Sequence, residues 1–345
     1  MHIAIISSPY IPVPPKKYGG VERVIYYLIK GLQEEGHQVT LFATGDSEVD
    51  CELVPIVDKH LFFGLDKAEH EAIEERVAEI HEYTNYLIRE RIEQFDILHS
   101  HGADLIEFQN FPNVTTLHGM FTLEFMDYYE DRRNLPFISI SKNQQQPLPD
   151  LEYVAVAYNG LDPEEFPFVE EPEGYFVFIG RFDREKNPHQ AIELALNLET
   201  PIKLAGKLDF LGSEYFEEEL KPLFKHPLVE YVGELNDQEK RQLISQASLN
   251  LHPTNFREPF GLTVLEAAYC GTPTIAVSRG AMSELIEHER TGILVEDFIE
   301  AYHQVETALQ LDRAYVSQRA RMLFNYRKMT QQYLSAYHKV IDLYI

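Results

Sequence analysis

The sequence predicts an α/β protein made of two Rossmann-like, doubly wound domains facing a cleft. Three observations carry that prediction. Short apolar runs alternate with helical patterns through the first half of the chain. The same alternation restarts after a polar stretch that ends near residue 174. The chain is 345 residues long with a hydrophobic fraction of 44%, more than one ordinary core holds and enough to build two.

The first domain is expected over residues 1–158. Its strands read as His2–Ser7, Gln38–Ala43, Leu53–Val57, Asp96–Ser100, Val114–His118, Phe137–Ser141 and Tyr153–Ala157. Helices fill the gaps, notably Val21–Glu35 and a long polar one over Ala68–Gln94. Apolar strands separated by helices imply a parallel sheet covered on both faces. Residues 159–173 are rich in Pro, Glu and Asp, lack a helical period and read as a linker. The second domain follows over 174–325. Its strands are Tyr175–Ile179, Ile202–Leu204, Val229–Val232, Leu249–His252, Thr274–Val277 and Gly292–Val295. Between them lie helices at Pro188–Leu198, Tyr215–Phe224, Asp237–Ala247 and Leu262–Cys270. After Glu296 the chain reads as helical to its end.

Charge and composition exclude several classes of partner. A net charge of −26 argues against nucleic acid and against anionic membranes. No apolar run is long enough to span a bilayer. The opening Met1-His2-Ile3-Ala4 lacks a basic leader and continues as a strand, so no signal peptide is expected there. Cys51 and Cys270 lie far apart in apolar surroundings, which suggests a reducing, cytoplasmic setting. The Asn113-Val114-Thr115 sequon is then a chance match.

In doubly wound sheets, ligands bind beyond the carboxyl ends of the strands, so the residues there matter most. The most informative stretch runs from Glu258 to Glu266. Pro259 keeps Glu258 extended on a loop, and Leu262 opens a short apolar helix that Gly271 caps. The backbone N–H groups of Phe260, Gly261 and Leu262 would point out of that helix's N-terminus, a ready anion site. Such a layout could hold a phosphorylated sugar and its ribose together. The plainer reading is a surface loop with a charge at each end of a buried helix, and this segment alone does not choose. Gly180 ends a strand, with Arg181 and Lys186 just after it. In so acidic a chain these cations are suited to phosphate. Arg184 is the expected surface partner for Asp183 or Glu185. Gly19 and Gly20 open the first helix and allow close approach of a ligand, or merely start the helix. His99, His101 and His118 sit at strand ends. No carboxylate or Cys stands at ligand spacing beside them, so metal ranks below function for His118 and below simple packing for the other two.

With these pieces in order, nearly the whole chain resembles a family 4 retaining glycosyltransferase of the GT-B fold, among the glycosyl transferases group 1. The resemblance rests on Gly19-Gly20, His118, Tyr158-Asn159-Gly160-Leu161-Asp162, and Gly180-Arg181 with Lys186. Above all it rests on the paired glutamates Glu258 and Glu266 with Pro259-Phe260-Gly261-Leu262 between them, then on Gly271-Thr272-Pro273 and Thr291-Gly292-Ile293-Leu294-Val295. It implies that Arg181, Lys186 and the N–H groups of Phe260, Gly261 and Leu262 bind the donor diphosphate. It implies that Glu266 accepts from the ribose hydroxyls, and that Glu258 and His118 contact the transferred sugar. Gly20 would lie near the diphosphate or the acceptor. The C-terminal helix, residues 326–345, would pack back on the first domain through Met329, Tyr333, Leu334, Tyr337 and Ile341. Two positions depart from the pattern, Asn187 where Gly is usual and Ala281 where a second Gly is usual.

The implied reaction moves a hexose from a nucleoside-diphosphate sugar, UDP being the commonest in the family, to an acceptor hydroxyl. No cofactor and no metal are expected, since the chain has no Asp-x-Asp motif and the cations can serve instead. The long helix is acidic, with Glu69, Glu71, Glu74, Glu75, Glu79, Glu82, Glu90 and Glu93 against Arg76, Arg89 and Arg91, so a small soluble acceptor is expected rather than a membrane lipid. The oligomeric state stays open. A nucleotide-sugar epimerase or another GT-B enzyme is the first rival, separated by nucleoside diphosphate release with and without acceptor. A non-catalytic nucleotide-sugar binding protein is the second, separated by binding without turnover.

Overall fold

In the computed structural model, which describes residues 1–61, 67–207 and 213–344 (the side chains of 67–72, 74, 123–125 and 213 apart), two all-parallel sheets organise the chain. The first has seven strands: β1 His2–Ile6, β2 Gln38–Thr44, β3 Glu52–Val57, β4 Ile97–Ser100, β5 Asn113–Leu117, β6 Phe137–Ser139 and β7 Tyr153–Val156. Their order is β3-β2-β1-β4-β5-β6-β7. The second has six: β8 Phe176–Ile179, β9 Ile202–Ala205, β10 Val229–Gly233, β11 Leu249–His252, β12 Thr274–Val277 and β13 Gly292–Val295. Their order is β10-β9-β8-β11-β12-β13. Both orders reverse beside the first strand of the sheet, the hallmark of a doubly wound fold.

The apolar runs explain the layering. Ile3, Ala4, Ile5 and Ile6 of β1 are fully buried, hydrogen-bonded on one side to β2 and on the other to β4. Phe176, Val177 and Phe178 play the same part in β8, between β9 and β11. Strands this apolar on both faces need helices above and below.

The chain divides into two compact units, Met1–Leu161 with Tyr326–Ile345, and Asp162–Asn325. The segment expected as a linker is anchored. Leu161 is fully buried and its carbonyl accepts from the Tyr326 N–H at 3.0 Å, while Phe166 packs against Tyr269 at 5.0 Å. In the first unit, the helix Tyr326–Asp342 buries Tyr326, Met329, Tyr333 and Tyr337. The Tyr326 hydroxyl donates to Glu34 at 2.7 Å, and Thr330 fills the space that a side chain at Gly31 would take.

Several elements differ from expectation. The long helix ends at Arg89 rather than Gln94, because Ile92 and Phe95 turn into the core behind β4. The side chains of Glu69, Glu71 and Glu74 on it lie outside the described residues. The helix expected over Tyr215–Phe224 is α-helical at Ser213–Tyr215, π-helical over Phe216–Leu220 and α-helical again at Lys221–Leu223. Pro222 explains the widening: it has no N–H and its ring crowds the carbonyl four residues back. The C-terminal region breaks into separate helices where Asp297 and Asp312 cap new starts, Asp312 accepting from Ala314 N and Tyr315 N at 2.9 and 3.1 Å. Asn113 is buried and donates to Phe108 O and Phe111 O, which closes it to glycosylation in the folded chain.

Candidate functional site

In the second unit, β8 and β11 are neighbours at the point where strand order reverses, and the loops that leave them carry the predicted phosphate and sugar residues. Arg181 and Lys186 follow β8. Glu258 lies on the loop after β11, and Phe260, Gly261 and Leu262 lead into the helix Leu262–Tyr269. The Lys186 ammonium is ion-paired with Glu258 Oε2, and their side chains are only 16% and 15% exposed. A charge pair so far out of water is costly unless each charge answers the other. Burial alone would raise the Glu258 carboxyl, but Lys186, His252 and Arg181 together hold it below the usual range.

Arg181 corrects an expectation. It pairs with Asp183 at 3.2 Å and Glu185 at 3.4 Å, while Arg184 turns to Glu219. Arg181 stands beyond the carboxyl end of β8. Lys186 is fixed from behind: its N–H donates to Asp183 Oδ1 at 2.8 Å.

The two departures from the family pattern are accounted for by backbone geometry. Asn187 adopts left-handed angles, φ 51° and ψ 45°, which Asn tolerates better than most residues, and its amide donates to Pro253 O at 3.2 Å. Gly280 has φ +61°, and a Cβ there would run into the Glu258 backbone nitrogen and oxygen. The next residue, Ala281, has φ −79° and carries its Cβ without conflict, while its N–H donates to Glu258 O at 2.9 Å.

The helix Leu262–Tyr269 makes its first internal bonds from Val264 N and Leu265 N to Gly261 O, at 3.0 and 3.2 Å. The N–H groups of Phe260, Gly261 and Leu262 precede these bonds, where a helix leaves donors without an internal acceptor. Gly261 takes φ +102°, and a Cβ there would come within 2.6 Å of Met282 Cε. Glu266, one turn down, is 1% exposed and pairs with Lys240 Nζ at 2.6 Å. Its second oxygen is buried and has no hydrogen-bond partner among the described residues. Neither glutamate is the solvated charge of the plainer reading.

Gly20 and His118 fall in the first unit. Gly20 is the first residue of the helix Gly20–Glu34, after a Gly19 with φ +149°. Glu22 in that first turn is buried, accepts from Ser8 at 3.1 Å and has its pKa raised by burial. His118 stands one residue beyond β5. Gln144 clamps it, donating to the carbonyls on both sides, Leu117 O at 3.0 Å and Gly119 O at 2.9 Å. Burial lowers the His118 pKa to about 4 and that of His99 to about 3. The three histidines do converge, but on one another: His101 Nδ1 lies 2.8 Å from His118 Nε2. Among the described residues no group of three or more His, Cys, Asp or Glu side chains could hold a metal ion.

Sequence reasoning missed His252, Lys240 and Gln144. His252 ends β11 and is buried, with Nε2 3.8 Å from Glu258 Oε2. Its position at a strand's carboxyl end was the available signal. Lys240 and Gln144 reach their partners from helical turns remote in sequence, and nothing local marks them.

The family model for glycosyl transferases group 1 matches residues 163–328, and that for Glycosyltransferase Family 4 matches residues 18–165. An uncharacterized glycosyltransferase of Methanocaldococcus jannaschii is 24% identical over 349 residues, spanning 86% of this chain and 85% of its own. Sucrose-phosphate synthase from Thermosynechococcus elongatus superposes with a TM-score of 0.79 at 20% identity, covering 99% of both chains. The Anabaena protein HepE in complex with UDP and glucose superposes with a TM-score of 0.74 at 17% identity, covering 98% of this chain and all of its own. Those two likenesses carry the fold, GT-B. Matched in its two parts from residue 18 to residue 328, the chain belongs to the group 1, family 4 glycosyltransferases.

Proposed function

We propose that this glycosyltransferase moves a hexose from a nucleoside-diphosphate sugar, a UDP-sugar first, to the hydroxyl of a small soluble acceptor, with retention and without a metal. The observation that carries the reading is the Lys186–Glu258 pair, held nearly out of water beside the first N–H groups of the helix Leu262–Tyr269. Diphosphate competes with Glu258 for Lys186. Arg181, Lys186 and the N–H groups of Phe260, Gly261 and Leu262 then stabilise the charge that builds on the leaving group. Glu258 is released towards the transferred sugar, whose anomeric carbon passes through an oxocarbenium-like state. Glu266 receives the ribose hydroxyls on its unpartnered oxygen. His118 and Gly20 serve the sugar and acceptor side. Attack on the leaving-group face gives retention. HepE was crystallised with UDP and glucose, which supports a UDP-sugar as the first donor to try.

The test is release of nucleoside diphosphate with acceptor present and EDTA added. Activity should persist in EDTA, and loss restored by Mg²⁺ or Mn²⁺ would overturn the metal-free reading. Arg181→Ala and Lys186→Ala should each weaken diphosphate binding by about 1.5–3 kcal/mol, one charge-assisted contact apiece. Unchanged affinity in both would remove the assignment.

A further inference from the structure

His101 has no part in the reading above, yet its Nδ1 lies 2.8 Å from His118 Nε2. It is 5% exposed and stacks on His118 with centroids 5.0 Å apart and planes inclined by 23°. Its ring also meets that of His99, with centroids 4.1 Å apart. Its Nε2 is buried and has no hydrogen-bond partner among the described residues.

Proton bookkeeping gives this arrangement a direction. Burial, reinforced by the neighbouring histidines, pushes the His101 pKa well down, and burial lowers that of His118, so both rings are neutral near pH 7. A neutral imidazole carries one proton. If His101 carried it on Nε2, that N–H would be a buried donor without an acceptor, the rarest kind of defect in folded proteins. If the proton is on Nδ1, it donates across the 2.8 Å contact to His118 Nε2, and only a lone pair is left unmatched. His118 Nε2 is then an acceptor, and the single proton of His118 sits on Nδ1.

The neighbouring ring is locked in a compatible way. The Thr116 hydroxyl donates to Tyr333 at 3.3 Å and therefore accepts from His99 Nε2 at 2.7 Å. His99 Nδ1 then accepts from the Tyr337 hydroxyl at 2.7 Å. His99 has both nitrogens occupied, so it offers His101 a ring face and no rival hydrogen-bond partner.

We propose that His101 is a positioning residue that fixes His118 in the Nδ1–H tautomer, so that His118 meets its ligand as a hydrogen-bond donor to an oxygen of the sugar. The inference rests on the reading of His118 as a sugar contact, but its first test does not depend on activity. Full-length protein labelled with ¹⁵N-histidine is studied near pH 7 by long-range ¹H–¹⁵N correlation, with His118 assigned by the signals absent from His118→Gln. The expected result is a protonated Nδ1 at His118. In His101→Leu the Nε2–H form should grow at its expense. Nε2–H at His118 in the unaltered protein overturns the proposal, and that measurement stands even if the variant does not fold. A tautomer unchanged in folded His101→Leu overturns it as well. In the transfer assay His101→Leu should lower kcat about tenfold, one lost hydrogen bond in the transition state, with donor KM little changed. Unchanged kcat in His118→Gln would defeat the sugar-contact reading instead, leaving the tautomer measurement to judge the role of His101.

Discussion

Glu258 and Glu266 look alike in the sequence and differ in the fold. Glu258 shares its partner with the proposed diphosphate site, because Lys186 can serve either. Glu266 has its own lysine, Lys240, and one oxygen without a hydrogen-bond partner among the described residues. The two should therefore fail differently. Glu266→Gln should raise donor KM about tenfold, since a ribose contact serves ground and transition states alike. Glu258→Gln should mainly lower kcat, also by at least about tenfold, since the transferred sugar changes most in the reaction. Gln preserves the volume of the buried side chain, so each lysine loses only its counter-charge. Steady-state kinetics with donor varied checks this, and one shared kinetic signature would refute the division.

At the scale of elements, two turns fix the loop that carries Glu258. Phe260 to Leu262 seat it against the helix, and Gly280 backs it from the strand side. Gly280→Ala should cost about 1–3 kcal/mol, because the new Cβ meets Glu258 backbone and the residue sits at φ +61°. It should also depress turnover, since Glu258 must shift. Ala281→Gly is the control and should stay near the parent in both respects. Thermal unfolding and the transfer assay report the two effects. A Gly280→Ala protein as stable and active as its parent would falsify this account of the loop.

Across the whole molecule, buried histidines and surface acid set the response to pH and to membranes. His99 keeps a folded pKa of about 3 and His118 about 4, against 6.5 when unperturbed. A neutral-favouring fold loses nothing above 6.5. Below it the unfolded chain takes up protons that the folded chain refuses, so stability falls as pH drops. The slope is at most about 1.4 kcal/mol per pH unit for each such histidine. Denaturant unfolding between pH 7.5 and 5 should show this fall, and His99→Gln should flatten it; equal slopes would show that His99 is not the source. The second expectation concerns the helix Lys67–Arg89. Its described surface exposes Glu75, Glu79 and Glu82 against Arg76 and Arg89, and Arg89 is already paired with Glu107. No helix among the described residues is long and apolar enough to cross a membrane. Anionic liposomes at low salt should not sediment the protein; clear co-sedimentation would bring a lipid acceptor forward.

What the sequence determined by itself was periodic and local. Short apolar runs placed the thirteen strands among the described residues to within a residue or two, and those at the centre of each sheet, buried on both faces, are the most apolar. The loop from Glu258 to Leu262 was legible because Pro259 keeps Glu258 extended and the apolar run from Leu262 opens a helix. Element ends were less legible where a distant core decided them, as at Arg89, or where Pro222 acted four residues back. The pairings of the site were not legible at all. Lys186 finds Glu258 across 72 residues, Lys240 finds Glu266 across 26, and His101 finds His118 across 17. Each pair is made by side chains leaving neighbouring elements, and which elements are neighbours follows from strand order. That order is a property of the closed sheet and its covering helices. Only tertiary structure could turn two lone glutamates into buried, partnered charges, because burial forbids a charge that the fold does not answer.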